Sequence, residues 1–211
     1  MIRALVFDFD GTLVPSNELK RRAFAETVAA IPGAGARVEA LVAANPFSDR
    51  HMVFAELCRQ IPDCGDPEAL AASYGAICED RIVPLLIESE LGSLFARLCA
   101  GATSLYLCSA TPRDALRRIV ERGGLGGYLA AVHGAPESKI DALHAIMREG
   151  GFRADEIAVI GDGENDRAAA QAAGCRFIAV LPDASQLHGR TAAAAYGFLE
   201  AQVSLPKHAR R

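Results

Sequence analysis

The chain has 211 residues, 51% of them hydrophobic and 23% charged, with a formal net charge of −4. This balance excludes a disordered chain and gives no sign of a surface for nucleic acid or another polyanion. No apolar run approaches the ~20 residues of a membrane-spanning helix, so no membrane partner is expected.

Residues 2–7, apolar apart from Arg3, meet Asp8 and Asp10 at once, so they read as a first strand and not as a signal peptide. The six cysteines (58, 64, 78, 99, 108 and 175) form no C-x-x-C pair and follow no metal-ligand spacing. Reduced buried thiols and a cytoplasmic location are the expectation.

The first strand is expected over residues 4–9. From 17 to 83 no strand is evident; Ala, Leu, Glu and Arg recur at helical spacing, punctuated at 31–33, 45–46 and 62–67. Ser48 and Asp66 are the expected helix N-caps there, the second with Pro67 at the first helical position. Then come strands at 104–108, 128–133, 157–160 and 176–181, with amphipathic helices at 113–122, 138–149 and 165–173 between them. Such alternation implies right-handed crossovers and a parallel sheet covered on both faces. The reading is an α/β, doubly wound, Rossmann-like core with an inserted helical module, and a frayed basic tail over 206–211.

The chemistry gathers at strand ends. In Asp8-Phe9-Asp10-Gly11-Thr12 the two aspartates are two apart on an extended segment and face the same way. A calcium loop is excluded, because its sixth position requires glycine and Leu13 stands there. A second acidic cluster, Gly161-Asp162-Gly163-Glu164-Asn165-Asp166, follows the strand at 157–160. Two such clusters in one parallel sheet repel unless a hard divalent cation lies between them, and Mg²⁺ is the usual choice beside phosphate. Ser109 follows the strand at 104–108, where a hydroxyl near free backbone N–H groups makes an anion site. Lysine occurs only at 20, 139 and 207, and Lys139 opens the helix leading into the second acidic strand. A compact positive charge there suits developing phosphate charge.

Taken in order, D-x-D-G-T, a strand-end Ser, a helix-start Lys and G-D-x-x-x-D resemble the four motifs of the haloacid dehalogenase-like hydrolase superfamily. The insertion after the first strand resembles the helical cap of its subgroup containing phosphoglycolate phosphatase, phosphoserine phosphatase and β-phosphoglucomutase. The resemblance implies a core of residues 1–14 and 87–211 and a cap of residues 15–86, hinged near Pro15 and near Pro84, where the helix should be interrupted. It implies a Mg²⁺-dependent phosphatase that hydrolyses a small-metabolite phosphomonoester through an aspartyl-phosphate. Asp8 matches the nucleophile and Asp10 the general acid and base. Asp8, the Asp10 carbonyl and Asp162 match the metal ligands, with Asp166 in or just behind that shell. Ser109 and Lys139 match the groups on the phosphoryl oxygens, and Thr12 is expected to fix the Asp10 carboxylate or its loop. A monomer or homodimer acting on a small phosphorylated metabolite is expected.

Within the family, residues 163–166 resemble phosphoserine phosphatase, whereas the insertion looks like the phosphoglycolate group. The loop Ser109-Ala110-Thr111-Pro112-Arg113 lacks the Ser-Asn and Thr-Gly-Lys patterns of the latter. The dehalogenases need no acid and lack the second aspartate, so Asp10 disfavours that chemistry. A phosphosugar mutase sharing the whole site is the alternative reading. A receiver domain and a non-enzymatic metal- and anion-binding module fit less well. In the cap, Lys20, Arg21, Asn45, Arg50 and His51 are candidate substrate contacts, Arg50 foremost; His133 and His144 are read as structural.

Overall fold

The computed structural model describes residues 1–45, 49–182 and 186–205. They divide into two compact units, one of residues 1–15 with the chain from Val83 onward, the other Ser16–Ile82.

The first unit is built on five parallel strands: β1 (Ala4–Phe7), β2 (Ser104–Pro112), β3 (Leu129–Ala135), β4 (Ile157–Gly161) and β5 (Arg176–Ala179). Their order is β3-β2-β1-β4-β5. β1 is therefore central, and the chain runs outward from it first through β2 and β3, then through β4 and β5. The crevice at the carboxyl end of β1, where that direction reverses, is where open α/β sheets bind ligands.

β1 is buried on both faces, as a central parallel strand must be. Ala4 and Val6 pack with Tyr106, Cys108 and Val159 against helices that expose their own apolar sides to them: Ala142, Leu143 and Ile146 of α7 (Lys139–Gly150), and Ala169 and Ala170 of α8 (Glu164–Ala172). Phe7 points the other way, its ring 5.3 Å from Phe95 of α5 (Leu91–Ala100). α6 (Arg113–Arg122) follows β2, and α9 (Ala192–Gln202) packs on α5. The sequence reading anticipated α6 to the residue and α7 and α8 to within one; it assigned neither α5 nor α9.

The second unit holds α1 (Asn17–Thr27), α2 (Ala34–Ala44), α3 (Arg50–Gln60) and most of α4 (Pro67–Glu88). Its core includes Phe24, Phe54 and Tyr74, with ring centroids 4.3–6.1 Å apart. Asp66 caps α4 by accepting from the Glu68 N–H at 3.1 Å, as expected. Ser48 lies outside the described residues, and the cap of α3 is Asp49, which accepts from the Met52 N–H at 3.0 Å.

Two expectations are corrected. α4 continues through Pro84 without interruption. Proline contributes no N–H and costs ~3 kcal/mol inside a helix, but burial of Ile82, Val83 and Leu86 around it outweighs that loss. And not every thiol is free: Cys58, near the end of α3, forms a disulfide with Cys64 in the turn beyond, their Cα atoms 5.0 Å apart. Cys78, Cys99, Cys108 and Cys175 take part in no disulfide. Among the described residues no helix is long and apolar enough to cross a membrane.

Candidate active site

Asp8, Asp162, Asp166, Lys139 and Thr12 come together in one set, and Asp10 and Ser109 stand beside it as a pair. Asp8 directly follows β1, and its N–H continues the ladder by donating to the Ile160 carbonyl at 2.8 Å. Asp162 directly follows β4. Oxygen atoms from the Asp8, Asp162 and Asp166 carboxylates lie within 4.8 Å of one another.

Asp166 reaches this point because α8 starts so close to β4. It is 2% exposed, and it accepts the Gly163 N–H at 3.2 Å, so it caps its own helix while facing the cluster. This depends on Gly161: a Cβ there would lie 2.6 Å from Asp166 Oδ2. Thr12, fully buried, donates its hydroxyl to Asp162 Oδ1 at 2.9 Å. Of the two expectations for Thr12, the Asp10 carboxylate or its loop, the first is corrected: the hydroxyl goes to the aspartate that follows the neighbouring strand.

Lys139 enters from the first turn of α7, which Ser138 caps by accepting the Asp141 N–H at 3.1 Å. Its ammonium donates to Asp8 Oδ1 at 2.8 Å and also pairs with Asp166. Burial opposes that charge, but the two carboxylates outweigh it and hold Lys139 above its ordinary pKa. Behind the trio lies only a void of about 10 Å³ walled by Val6, Cys108, Leu143, Val159 and Ala169. Burial among these groups pushes the Asp8 carboxyl up to about 7, against the pull of Lys139 and with help from Asp166 and Asp10. Asp162 is raised too, by burial, with the Thr12 hydroxyl acting against it. Cys108 is driven up to about 12, chiefly by burial, and is an inert thiol.

Three carboxyl groups thus gather within 4.8 Å of one another, with one lysine paired to two of them. The donor set is all oxygen, which selects a hard divalent cation over a soft one. The cluster fits such an ion.

The Asp10 carboxylate turns toward β2 instead. Thr111 donates its hydroxyl to Asp10 Oδ2 at 2.8 Å, and Ser109 Oγ stands 3.5 Å from the same oxygen. Ser109 is 3% exposed and accepts the Thr111 N–H at 3.1 Å. β2 runs four residues past its expected end, to Pro112, but irregularly: Ser109 pairs with Gly134 and Pro112 with Ala135, so Ala110 and Thr111 bulge from the ladder. Thr111 is the contact the sequence reading missed; its only signal was the second hydroxyl in Ser-x-Thr.

Of the other candidates, Arg50 opens α3 with its guanidinium 5.9 Å from the Tyr74 ring centre. Arg21 is tied to Glu18 at 2.8 Å and His51 to Glu68 at 2.9 Å; Asn45 is exposed and Lys20 half-buried. His133 bonds Glu137 at 3.0 Å, and His144 is exposed on α7.

The comparisons with known proteins agree with this architecture. Residues 2–174 match the family model described as haloacid dehalogenase-like hydrolase. Phosphoglycolate phosphatase from Pectobacterium atrosepticum is 26% identical over 187 residues, covering 84% of this chain and 79% of the relative. The Yersinia pseudotuberculosis phosphoglycolate phosphatase is 27% identical over 190 residues, covering 84% and 80%. In fold, the chain resembles a predicted phosphoglycolate phosphatase from Haemophilus somnus (TM-score 0.68, 16% identity, 96% of this chain and 98% of that one). It also resembles CbbY from Rhodobacter sphaeroides, solved in complex with phosphate (TM-score 0.64, 22% identity, 86% and 87%). With the family model spanning most of its length, the chain belongs to the haloacid dehalogenase-like hydrolases and is an enzyme of that family.

Proposed function

We propose that this hydrolase is a Mg²⁺-dependent phosphatase that cleaves a small-metabolite phosphomonoester through an aspartyl-phosphate on Asp8. The observation that carries the reading is the convergence of the Asp8, Asp162 and Asp166 carboxylates at the switch point of the sheet, with Lys139 paired to the first and the last. The phosphoglycolate phosphatases among its relatives make 2-phosphoglycolate the first substrate to try.

In this reading Asp8, Asp162 and the Asp10 carbonyl hold Mg²⁺, with Asp166 beside them. Bound there, the cation would offset the negative charge of the carboxylates and of the phosphoryl oxygens. Asp8 attacks phosphorus while Asp10 protonates the departing oxygen; Asp10 then takes a proton from the water that releases phosphate. Lys139 and Ser109 hold the phosphoryl oxygens, which suits a reaction that depends on positioning and charge. Thr12 orients Asp162, a support that typically matters ~10–100-fold to metal affinity or activity. Residues 15–86 act as the cap that selects the leaving group, and Arg50 is its proposed substrate contact.

The test is turnover on a panel of phosphomonoesters, 2-phosphoglycolate included, with Mg²⁺, with Ca²⁺ and with excess chelator. Release of phosphate that needs Mg²⁺, with little under Ca²⁺, is the expected result. Full activity in chelator overturns the metal assignment, and no turnover of any ester overturns the phosphatase reading.

A further inference from the structure

Asp10 has a task that depends on where its carboxylate points, and the structure shows one short bond that sets its direction. We propose that Thr111 is a positioning residue for Asp10, holding the carboxylate toward the leaving oxygen of the substrate. The inference rests on the phosphatase reading above and extends it to a residue outside the motifs that carried that reading.

The geometry separates two hydroxyls. Thr111 Oγ1 donates to Asp10 Oδ2 at 2.8 Å, a full hydrogen bond to a carboxylate; Ser109 Oγ is 3.5 Å away, at the edge of bonding distance. Ser109 accepts the Thr111 N–H, and its own proton, given to Asp10 only across 3.5 Å, can turn to a phosphoryl oxygen. One residue thus fixes both neighbours: Thr111 orients Asp10 through its side chain and Ser109 through its backbone.

The backbone is shaped for this contact. Thr111 meets Asp10 because Ala110 and Thr111 bulge from the ladder between β2 and β3. The bulge presses on β3 at a glycine: a Cβ on Gly134 would lie 2.6 Å from the Thr111 carbonyl oxygen and 2.7 Å from Arg113 Cα. Gly134, the bulge, Thr111 and Asp10 form a chain of contacts from β3 through β2 to the loop that follows β1. A β-bulge beside a reacting group commonly re-aims a side chain.

The chemistry predicts where the effect shows. In the first half-reaction the bond from phosphorus to the ester oxygen breaks, the Asp8–phosphorus bond forms, and the departing oxygen takes the Asp10 proton. An alkyl leaving group needs that proton, whereas a nitrophenolate leaves readily without it. A misaimed Asp10 therefore slows the alkyl ester most, and a misplacement of ~1 Å can cost ~100-fold.

The experiment measures single-turnover phosphorylation by 2-phosphoglycolate and by p-nitrophenyl phosphate in the wild type, Thr111→Val, Thr111→Ser and Asp10→Asn. Thr111→Val should slow the alkyl ester about 10–100-fold and the burst of nitrophenol less than about 3-fold, with KM nearly unchanged. Thr111→Ser, which keeps the hydroxyl, should recover most of the loss. Equal slowing of both substrates, a change confined to KM, or no recovery with serine overturns the positioning role. If Asp10→Asn itself shows no leaving-group dependence, the acid role of Asp10 falls, and Thr111 falls with it. If Asp10→Asn shows the dependence and Thr111→Val does not, only the Thr111 proposal fails.

Discussion

The Lys139 ammonium stands 2.8 Å from Asp8 Oδ1, joining the first turn of α7 to the residue that directly follows the central strand. The same nitrogen pairs with Asp166, so its removal leaves two buried carboxylates facing each other. Lys139→Met should therefore lower kcat at least ~100-fold and destabilise the metal-free protein at pH 8 by about 2–4 kcal/mol. Lys139→Arg should not restore activity, because a planar guanidinium cannot sit as a point charge between the two oxygens. Phosphate release and thermal melts check both statements; recovery by arginine would show that charge alone suffices.

A pH dependence follows from Asp8. Its pKa is raised from 3.8 to about 7 in the fold. Between those values the native state binds more protons here than the unfolded chain, so this group's contribution to stability is full below about pH 4 and is lost as pH rises toward 7. Mg²⁺ has the opposite sign: it competes with that proton, so its affinity should climb up to about pH 7 and then level off. Melting temperature from pH 4 to 8, without and with Mg²⁺, should show the first trend and its reversal. Asp8→Asn should flatten the metal-free profile; an unchanged slope in that variant would assign the titration elsewhere.

Thr12 offers a cleaner probe of the metal. It is fully buried, and its hydroxyl proton goes to Asp162. Thr12→Val keeps the shape and removes the bond. The expected result is a Mg²⁺ requirement raised ~10-fold, with kcat at saturating metal changed less. Titration of activity against Mg²⁺ measures this, and Thr12→Ser should lie close to the wild type. A loss that saturating Mg²⁺ does not recover would place the defect in folding or phosphate binding.

How the candidate site assembles was legible in the sequence wherever the chemistry follows strand order. Asp8 and Asp162 directly follow strands, Lys139 opens a helix and Ser109 follows the apolar part of β2, and apolar runs mark those places plainly. What escaped reading depends on pairing between distant segments. The hydroxyl of Thr12 serves Asp162, 150 residues away, and not its neighbour Asp10. Thr111 reaches Asp10 through a register shift against β3, and strand periodicity does not report bulges. The disulfide from Cys58 to Cys64 follows the turn after α3, which spacing alone does not fix. α9 opens with four alanines, a composition that looks like low complexity yet favours helix strongly; Thr191 then caps it by accepting the Ala194 N–H at 3.2 Å.

Selectivity for the leaving group is the property furthest from the core motifs, and Arg50 is its proposed agent. Its guanidinium lies 5.9 Å from the Tyr74 ring centre, and a Cβ on Gly75 would come within 3.1 Å of its Nη1. These neighbours limit how the side chain moves within its own unit, so less entropy is lost when it binds an anion. Arg50→Ala should lower kcat/KM for the preferred alkyl ester ~10-fold or more while changing that for p-nitrophenyl phosphate less than about 2-fold. Tyr74→Leu, which removes the ring but leaves the charge, should give a smaller loss in the same direction. If Arg50→Ala slows both esters alike, the arginine serves the phosphoryl group or the packing of α3 against α4. Equal stability of the two variants by thermal melt then decides between those roles, because a packing defect lowers the melting temperature and a lost phosphoryl contact does not.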